Sequence, residues 1–519
     1  MLRWGIAGWV SALVVVAAWL PAPAAAGEGC PKAHGGPAAV DWGINGSEQL
    51  GAGFYSAVEN SSQPVDGLSG ATAVKAGFKF GLALMGDCTL RSWGTGNKGQ
   101  LGDGLQQTEP HPVTVSGLTE VKEIAVANAH AMALRYDGSV WTWGASEFGE
   151  RGNKEKGFER NSRQTESWFV SRDHPNEVPG LSGVKQIAAG GTRDYALLSN
   201  GEVMAWGDDQ KGQLGVEESH SEEEQCYGET HAITPVQCST VPRTVKVSGL
   251  GLLTGVERIG AGEEAAYAIR SGGREVLAWG GGSKGQLGNG EDGESASPVK
   301  TSFEPPSPVV EVAGGSQHAL ALLGNGEVYA WGADGSGQLG FETGGEALES
   351  CGRQKCSMVP EAVGALNHVV AVAAGGEGVS FALKEEENAT KVIYSFGAEG
   401  FWELLGLGNQ SFTTTSTPTP IAGISPVRGV SASGTTAVAL LQSGSPSAPR
   451  MALSPSEEAL TLTWKVQTEP YKLRYVPVGT REFSHTQEGN CKGECSVQLT
   501  GLKPEPYEVV LKSPEGREG

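Results

Sequence analysis

No cluster of lysines and arginines balances the acidic runs Glu222-Glu223-Glu224 and Glu385-Glu386-Glu387, and the formal net charge is −21. Nucleic-acid recognition needs basic side chains arrayed against phosphates, so this chain would repel that partner. The acidic runs read as solvated loop surface that aids solubility. Helix-period apolar patterns are scarce, which argues against an all-helical fold. His-Glu-x-x-His and a phosphate-binding loop are both missing, and the nine histidines are scattered. Among them His318, just ahead of a strand, reads as a structural or surface residue. Beyond residue 26 no stretch is apolar enough for the ~20 residues that a spanning helix needs. The wall-sorting motif Leu-Pro-x-Thr-Gly does not occur.

What the chain has in abundance is glycine, 78 residues or about twice ordinary usage, as expected where many tight turns are needed. Much of it falls in one recurring phrase, clearest at Trp331-Gly332-Ala333-Asp334-Gly335-Ser336-Gly337-Gln338-Leu339-Gly340. Trp-Gly opens copies at Trp42, Trp93, Trp143, Trp206, Trp279 and Trp331, and Phe396-Gly397 opens a seventh. Steps of 51, 50, 63, 73, 52 and 65 residues separate them, and a period of about 50 with surplus length in one place per copy signals stacked or radial units. Ahead of the marker lie two short apolar runs around Asp137-Gly138, Asn200-Gly201 or Asn325-Gly326. These predict two-residue hairpins in which both central residues take positive φ. Each copy is therefore a small antiparallel sheet, and repetition around an axis lets every sheet bury both faces on its neighbours.

These residues resemble the regulator of chromosome condensation repeat family, whose pattern runs alanine-glycine-glycine, hairpin, Trp-Gly, Gly-Gln-Leu-Gly. The matches are strongest at 187–215, 310–340 and 280–288, and the likeness covers about 39–444. The resemblance implies an all-β, seven-bladed β-propeller. Two copies depart from the pattern: the third reads Gly149-Glu150-Arg151-Gly152, and the seventh has Phe401-Trp402-Glu403-Leu404-Leu405-Gly406 in place of the usual ending. Irregular packing is expected there. The first copy lacks the hairpin strand before Trp42, while 430–444 supplies such a strand with no Trp-Gly after it. N- and C-terminal strands are thus expected to share one blade, which removes an open sheet edge.

Residues 1–26 read as a secretory signal, with Arg3, an apolar core at 10–20 and Ala24-Ala25-Ala26 at the cleavage site, so the mature chain is expected to be exported. A Ser/Pro-rich linker follows the propeller at 445–450. The tail, 451–519, resembles a fibronectin type III domain, with Trp464 as its early core tryptophan and Leu502 and Tyr507 at the late corner. That resemblance stops at Ser513-Pro514-Glu515-Gly516, ahead of an expected last strand. Eight cysteines in an exported chain point to disulfides. Sequence neighbours pair Cys226 with Cys238, Cys351 with Cys356 and Cys491 with Cys495, leaving Cys30 with Cys88. The competing reading is a metal site from His220, Cys226, His231 and Cys238, although no Cys-x2-Cys knuckle is present.

Two Gly-x-Gly-x-x-Gly matches, at 94–99 and 280–285, belong to the repeat marker and open no helix, so no nucleotide site is expected. Residues 281–285 also match a nucleophile elbow, but Asn97, Gln210 and Gly335 stand where Ser283 does in other copies. Large insertions at 153–178, 216–241, 289–308 and 341–360 follow the same point of each copy and should emerge on one face. Trp168, Phe169, Tyr227, Phe401 and Trp402 are the candidate binding residues, because large aromatics in polar segments suit an interface.

The expectation is a secreted or cell-surface binding scaffold, not an enzyme, with no cofactor and no membrane contact after signal removal. Its partner would be a protein or a surface polymer met through the loop face. Secreted members of the resembling family include β-lactamase inhibitors, a special case of this reading. Two alternatives stand beside it. The first is guanine-nucleotide exchange on a small GTPase, the activity of the family's namesake. The second is a polysaccharide-active enzyme, for which no clustered carboxylate pair can be assigned. The Gly-Trp-Arg-His-Thr signature of the ultraviolet-B photoreceptor branch is missing.

Overall fold

The computed structural model describes Cys30, most of residues 39–442 and, in the tail, the backbone of strands between 452 and 512. The longest undescribed stretches within the propeller are 161–166, 217–224, 227–235, 342–347, 399–404 and 407–413. Seven antiparallel sheets, each built on four main strands, make up the propeller. Blade 1 holds Ala71–Ala76, Phe80–Met85, Leu90–Gly94 and Glu109–Thr114, and blade 2 holds Val121–Val126, His130–Arg135, Val140–Gly144 and Arg172–Glu177. Blade 3 comprises Val184–Gly190, Arg193–Leu198, Val203–Asp208 and Val236–Thr244, with Gln225–Cys226 as a short fifth strand. Blade 4 comprises Val256–Ala261, Ala265–Arg270, Glu275–Gly280 and Ser295–Lys300. Blade 5 is built from Val309–Gly314, His318–Leu323, Val328–Ala333 and Gln354–Ala362, edged by Glu349–Cys351. Blade 6 is Val369–Ala374, Val379–Glu385, Lys391–Ala398 and Thr414–Pro420.

Blade 7 draws on both ends of the chain. Val427–Ala432 and Thr436–Leu441 are followed in the sheet by Ala39–Ile44 and Val58–Pro64, with Trp42 opposite Ala437 and Val40 opposite Ala439. The first strands of the seven blades touch in unbroken succession, the last returning to Ala71–Ala76, so they surround a central channel. Their free edges are answered by side chains of the preceding blade. Gln186 Oε1 accepts from Ile259 N at 2.9 Å while its Nε2 donates to Ile259 O at 3.0 Å. Ser431 Oγ accepts from Ala76 N at 3.2 Å across the junction of the two chain ends.

Burial explains the sequence pattern of each strand. Second strands, such as Phe80–Met85 and His130–Arg135, are buried on both faces and read as continuous apolar runs. Fourth strands, such as Glu109–Thr114, lie at the rim and are half exposed. Seven hydrophobic clusters occupy the seven blade-to-blade interfaces, and each contains the marker aromatic of the later blade of its pair. The indole N–H of that tryptophan donates to the carbonyl of the Gln position one blade earlier: Trp143 to Gln100 (2.9 Å), Trp206 to Glu150 (2.7 Å), Trp279 to Gln213 (2.8 Å) and Trp331 to Gln286 (2.9 Å). The glycine that closes the phrase lies under the same ring. A Cβ on Gly215 or Gly288 would stand 3.0 Å from indole atoms of Trp279 or Trp331, which is why the phrase ends in glycine.

The hairpins differ from the expected form. Gly138, Gly201 and Gly326 have φ of 82°, 83° and 83°, whereas Asp137, Asn200 and Asn325 stay out of the left-handed region. Their side chains instead accept from backbone N–H groups two residues on, at Ser139, Glu202 and Glu327. Asp and Asn were thus selected for this local hydrogen bond.

Neither irregular copy leaves its interface slot empty. In the seventh copy Leu405 is fully buried and Gly406 lies against Trp42, so 405–406 restores the usual ending; Phe396 fills the indole site, also fully buried. Ser395 Oγ donates to Leu405 O at 2.8 Å, as Ser92 Oγ does to Leu101 O at 2.6 Å and Thr142 Oγ1 to Arg151 O at 2.9 Å. Arg151 therefore occupies a leucine slot. In the tail, Ala452–Ser456, Ala459–Val466 and Gly493–Thr500 form one three-stranded sheet, and His485–Gly489, Tyr471–Pro477 and Tyr507–Lys512 form another. Leu502 lies outside the described residues.

Candidate functional site

Successive strands alternate in direction, so the ends of every first and third strand emerge on one face of the ring. The connections after third strands, 145–171, 209–235, 281–294 and 334–353, therefore share that face, as the sequence suggested. Their limits differ, because each expected insertion ran into the blade's fourth strand: Arg172–Glu177, Val236–Thr244, Ser295–Lys300 and Gln354–Ala362. Residues 301–308 leave the opposite face.

On the loop face the turns after the first strands close around the channel. Asn128 N donates to Gly191 O (3.2 Å), Glu263 N to Gly315 O (3.0 Å), Ser316 N to Gly375 O (3.4 Å) and Gly376 N to Ser433 O (3.1 Å), while Ser433 Oγ reaches Gly77 O. This collar surrounds a cavity of about 380 Å³, whose wall includes Phe78, Asn128, Glu263, Ser316, His318 and Gln338.

Charge is unevenly spread along the sequence of the connections. The connection 209–235 carries seven carboxylates against Lys211 and His residues, and 281–294 carries three against Lys284. Glu263 and Glu264 lie between them on blade 4. Glu264 is held by Lys211 and by Gln286 Nε2 at 3.2 Å. Glu263 is exposed, and its carboxylate has no partner among the described residues. Across the channel Phe78 faces an internal cation, Lys79 Nζ, 5.5 Å from its ring centroid.

Two buried histidines show how the second strands meet their neighbours. His130 Nε2 lies 2.9 Å from Asp194 Oδ1. Burial pulls this imidazole down, but the charge and the hydrogen bond of Asp194, with a smaller effect of Glu147, outweigh it and the net shift is upward. His318 has no such carboxylate, and burial pushes it down to about 4, against a smaller opposing effect of the Val379 backbone. Its Nε2 lies 2.9 Å from Ser380 Oγ, which spends its proton on Gln338 O at 2.8 Å. Ser380 Oγ must then accept, so the neutral ring carries its proton on Nε2 and presents Nδ1 as a bare acceptor. Nδ1 is buried and has no hydrogen-bond partner among the described residues. Of the two readings the sequence left for His318, structural or surface, burial selects the structural one: it is 1% exposed.

Buried carboxyls accompany these groups. Burial is the main cause that lifts Glu150 to about 8 and Glu123 and Glu311 to about 7, the latter two on first strands facing Lys75. A protonated Glu150 imitates the glutamine of other copies, its Oε2 accepting from Phe148 N at 2.7 Å as Gln213 Oε1 accepts from Lys211 N.

Trp168 and Phe169 lie in Ser167–Phe169, a strand paired with Phe158–Arg160, with Trp168 opposite Glu159. Tyr227, Phe401 and Trp402 lie outside the described residues. Glu263 and His318, which line the cavity, were missed because they sit within repeat punctuation; only an acidic residue at a turn position that is small or neutral in most copies could have signalled Glu263. Disulfides join Cys30 to Cys88, Cys226 to Cys238 and Cys351 to Cys356. Cys226 and Cys238 are therefore not available as thiolate ligands, and His220 and His231, like Cys491, lie outside the described residues. No group of three or more metal-capable side chains occurs among the described residues.

Residues 90–134, 137–193, 275–322 and 325–382 match the regulator of chromosome condensation (RCC1) repeat, and 184–213 and 309–338 match a second form of it. The human E3 ubiquitin-protein ligase HERC2 is 29% identical over 305 residues, 57% of this chain but only 6% of that protein. The ultraviolet-B receptor UVR8 of Arabidopsis thaliana is 26% identical over 344 residues, 65% of this chain and 67% of the receptor. Among solved structures, yeast RCC1 (Prp20) bound to Kap60 superposes with a TM-score of 0.66 at 21% identity, covering 80% of this chain and 90% of that one. Human WBSCR16 gives 0.62 at 18% identity, covering 79% and 99%. The chain thus carries regulator of chromosome condensation repeats, folded as a seven-bladed β-propeller.

Proposed function

We propose that this propeller is an exported, non-enzymatic scaffold that binds a protein through the face bearing the collar and the third-strand connections. One observation carries the reading: the interfaces between blades repeat the same hydrogen bonds, while length and charge vary almost wholly in connections that share the cavity's face. That division places variation where a partner can read it and keeps it out of the core. The export signal supports an extracellular setting, and the two tail sheets support a fibronectin type III module beside the propeller. Pairing of Ala39–Ile44 with Thr436–Leu441 supports closure of the ring by the two chain ends.

The test is affinity capture by the mature chain from the secreted and surface fractions of the producing cell, repeated with Trp168→Ala and Tyr227→Ala. The expected outcome is unchanged melting and capture weakened by about 1–3 kcal/mol for each hot spot. Early unfolding of both variants with normal capture would assign these aromatics to structure, and retention of a surface polymer in place of protein would overturn the partner class. A second reading, nucleotide exchange on a small GTPase, is favoured by the yeast Prp20p structure, reported with binding to Gsp1p and histones. Accelerated release of fluorescent GDP from a small GTPase on adding the chain would support it.

A further inference from the structure

The cavity inside the collar is built from acceptors. Glu263 and His318 come from neighbouring blades, and Gly315 brings them together. Glu263 N donates to Gly315 O at 3.0 Å, so the two turns are stitched. A Cβ on Gly315 would lie 2.4 Å from His318 Cε1 and 2.6 Å from Nδ1, so only glycine lets this turn pack against the Nδ1 edge of the buried imidazole at the cavity wall. His318 Nδ1 is a bare lone pair, because Ser380 has fixed the ring proton on Nε2. The nearest internal cation does not satisfy this pair: Arg193 donates through Nη1 to the Glu263 backbone carbonyl and through Nη2 to Asp208 Oδ2 at 3.4 Å. Lys79 lies at Phe78, on blade 1 across the ring. A buried acceptor left without a donor is costly, and an anionic ligand would meet Glu263.

We infer that the cavity receives a cationic side chain, the guanidinium of Arg or the ammonium of Lys, from a basic loop of a protein partner, with Glu263 as counter-charge and His318 Nδ1 as hydrogen-bond acceptor. The inference rests on the protein-binding reading above and adds the chemistry that the partner must present. The cavity's volume suits one long side chain, and the Glu263 charge at its wall draws in the basic loop that carries it.

The probes are end-blocked pentapeptides with Arg, Lys or citrulline between glycine pairs, citrulline being the neutral counterpart of Arg. Binding to the full chain is followed by calorimetry and by the imidazole ¹⁵N signal of His318. The expected result is that the Arg or Lys peptide binds at least tenfold more tightly than the citrulline peptide and moves the Nδ1 signal upfield, as acceptance of a hydrogen bond does. Glu263→Gln, an exposed change that leaves melting unchanged, weakens binding at least fivefold. Glu264→Gln, whose carboxylate is already held by Lys211 and Gln286, leaves binding unchanged. Equal binding of Arg and citrulline peptides, a still Nδ1 signal, or equal loss in the Glu263 and Glu264 variants would overturn the proposal, as would no binding at millimolar peptide. Capture of a protein that Glu263→Gln does not weaken would sink this inference and spare the binding reading. Peptide binding with no protein captured from any fraction would do the reverse.

Discussion

The interface between blades 2 and 3 and that between blades 4 and 5 have one geometry and two chemistries. Trp206 donates to Glu150 O at 2.7 Å and Trp331 to Gln286 O at 2.9 Å, so the backbone of the phrase runs alike in both. What fills the slots differs. The later interface buries Leu287 and Gln286; the earlier buries Arg151, ion-paired to Glu155 at 2.6 Å, and a protonated Glu150. Glu155 is in turn gripped by Arg172 from the fourth strand, and Glu147 by Lys98 of the preceding blade at 2.9 Å. The repeat therefore specifies a backbone path and a volume, and a polar pair can meet both when neighbouring loops supply counter-charges.

The broadest test of the comparison removes what both interfaces depend on. Deleting 430–444 takes away Thr436–Leu441 and leaves Ala39–Ile44 without its partner, so thermal unfolding should lose its single cooperative transition or fall by more than about 10 °C. An unchanged melting temperature would show that seven blades hold together without their junction.

Exchanging the slot residues comes next. Leu287→Arg buries a charge in a slot filled by an aliphatic side chain, with Ser295 where Arg172 would steady a counter-charge, and should cost about 4 kcal/mol or prevent folding, whereas Arg151→Leu should be neutral or stabilise by about 1–3 kcal/mol in denaturant melts. If Arg151→Leu destabilised as much as Leu287→Arg, the two slots would not share a volume. Smaller still is Trp331→Phe. Loss of the indole donor should cost about 1–2 kcal/mol by chemical denaturation, because Gln286 O keeps only Tyr267 as donor. Phe396 tolerates the same lack, since Ser380 supplies Gln338 O with a proton.

The gentlest probe is pH. Glu150 is lifted from 4.5 to about 8, so the native state holds a proton that the unfolded chain has released. Its contribution is full below pH 4.5 and is lost as pH rises through about 8. Glu150→Gln should therefore leave melting near pH 5 almost unchanged and raise it by a few degrees above pH 8. Glu123 and Glu311 slope the same way and will leave a residual decline. His318 acts at the other end: with its folded value depressed to about 4, its contribution holds above pH 6.5 and fades as pH falls towards 4. A melting curve for Glu150→Gln parallel to the parent from pH 5 to 9 would contradict the assignment.

Most of the fold was legible because it is written many times over. Trp-Gly, the hairpin glycines and Gly-Gln-Leu-Gly each answer a geometric demand that recurs, so coincidence averages out. Single-copy features were not legible. Arg151 looked like a break in the pattern because its counter-charge Glu155, four residues on, is held in place by Arg172 of the fourth strand, which comes near only after folding. Leu405-Gly406 was obscured by the aromatic residues ahead of it. Glu263 and His318 form one site only because adjacent blades bring their turns together, a nearness that no spacing within a copy records.

Pairing Trp42 with Ala437 also sets a timetable. Synthesis delivers residue 42 first, yet its hydrogen-bonding neighbour is among the last parts of the propeller to be made. Blades 1 to 6 can form as their segments emerge, while Ala39–Ile44 must wait with an unmatched edge. A chaperone would act during that interval. A circular permutant opened between blades 3 and 4 would shift the wait to a different seam, and the order in which blades gain protection from hydrogen exchange should move with it.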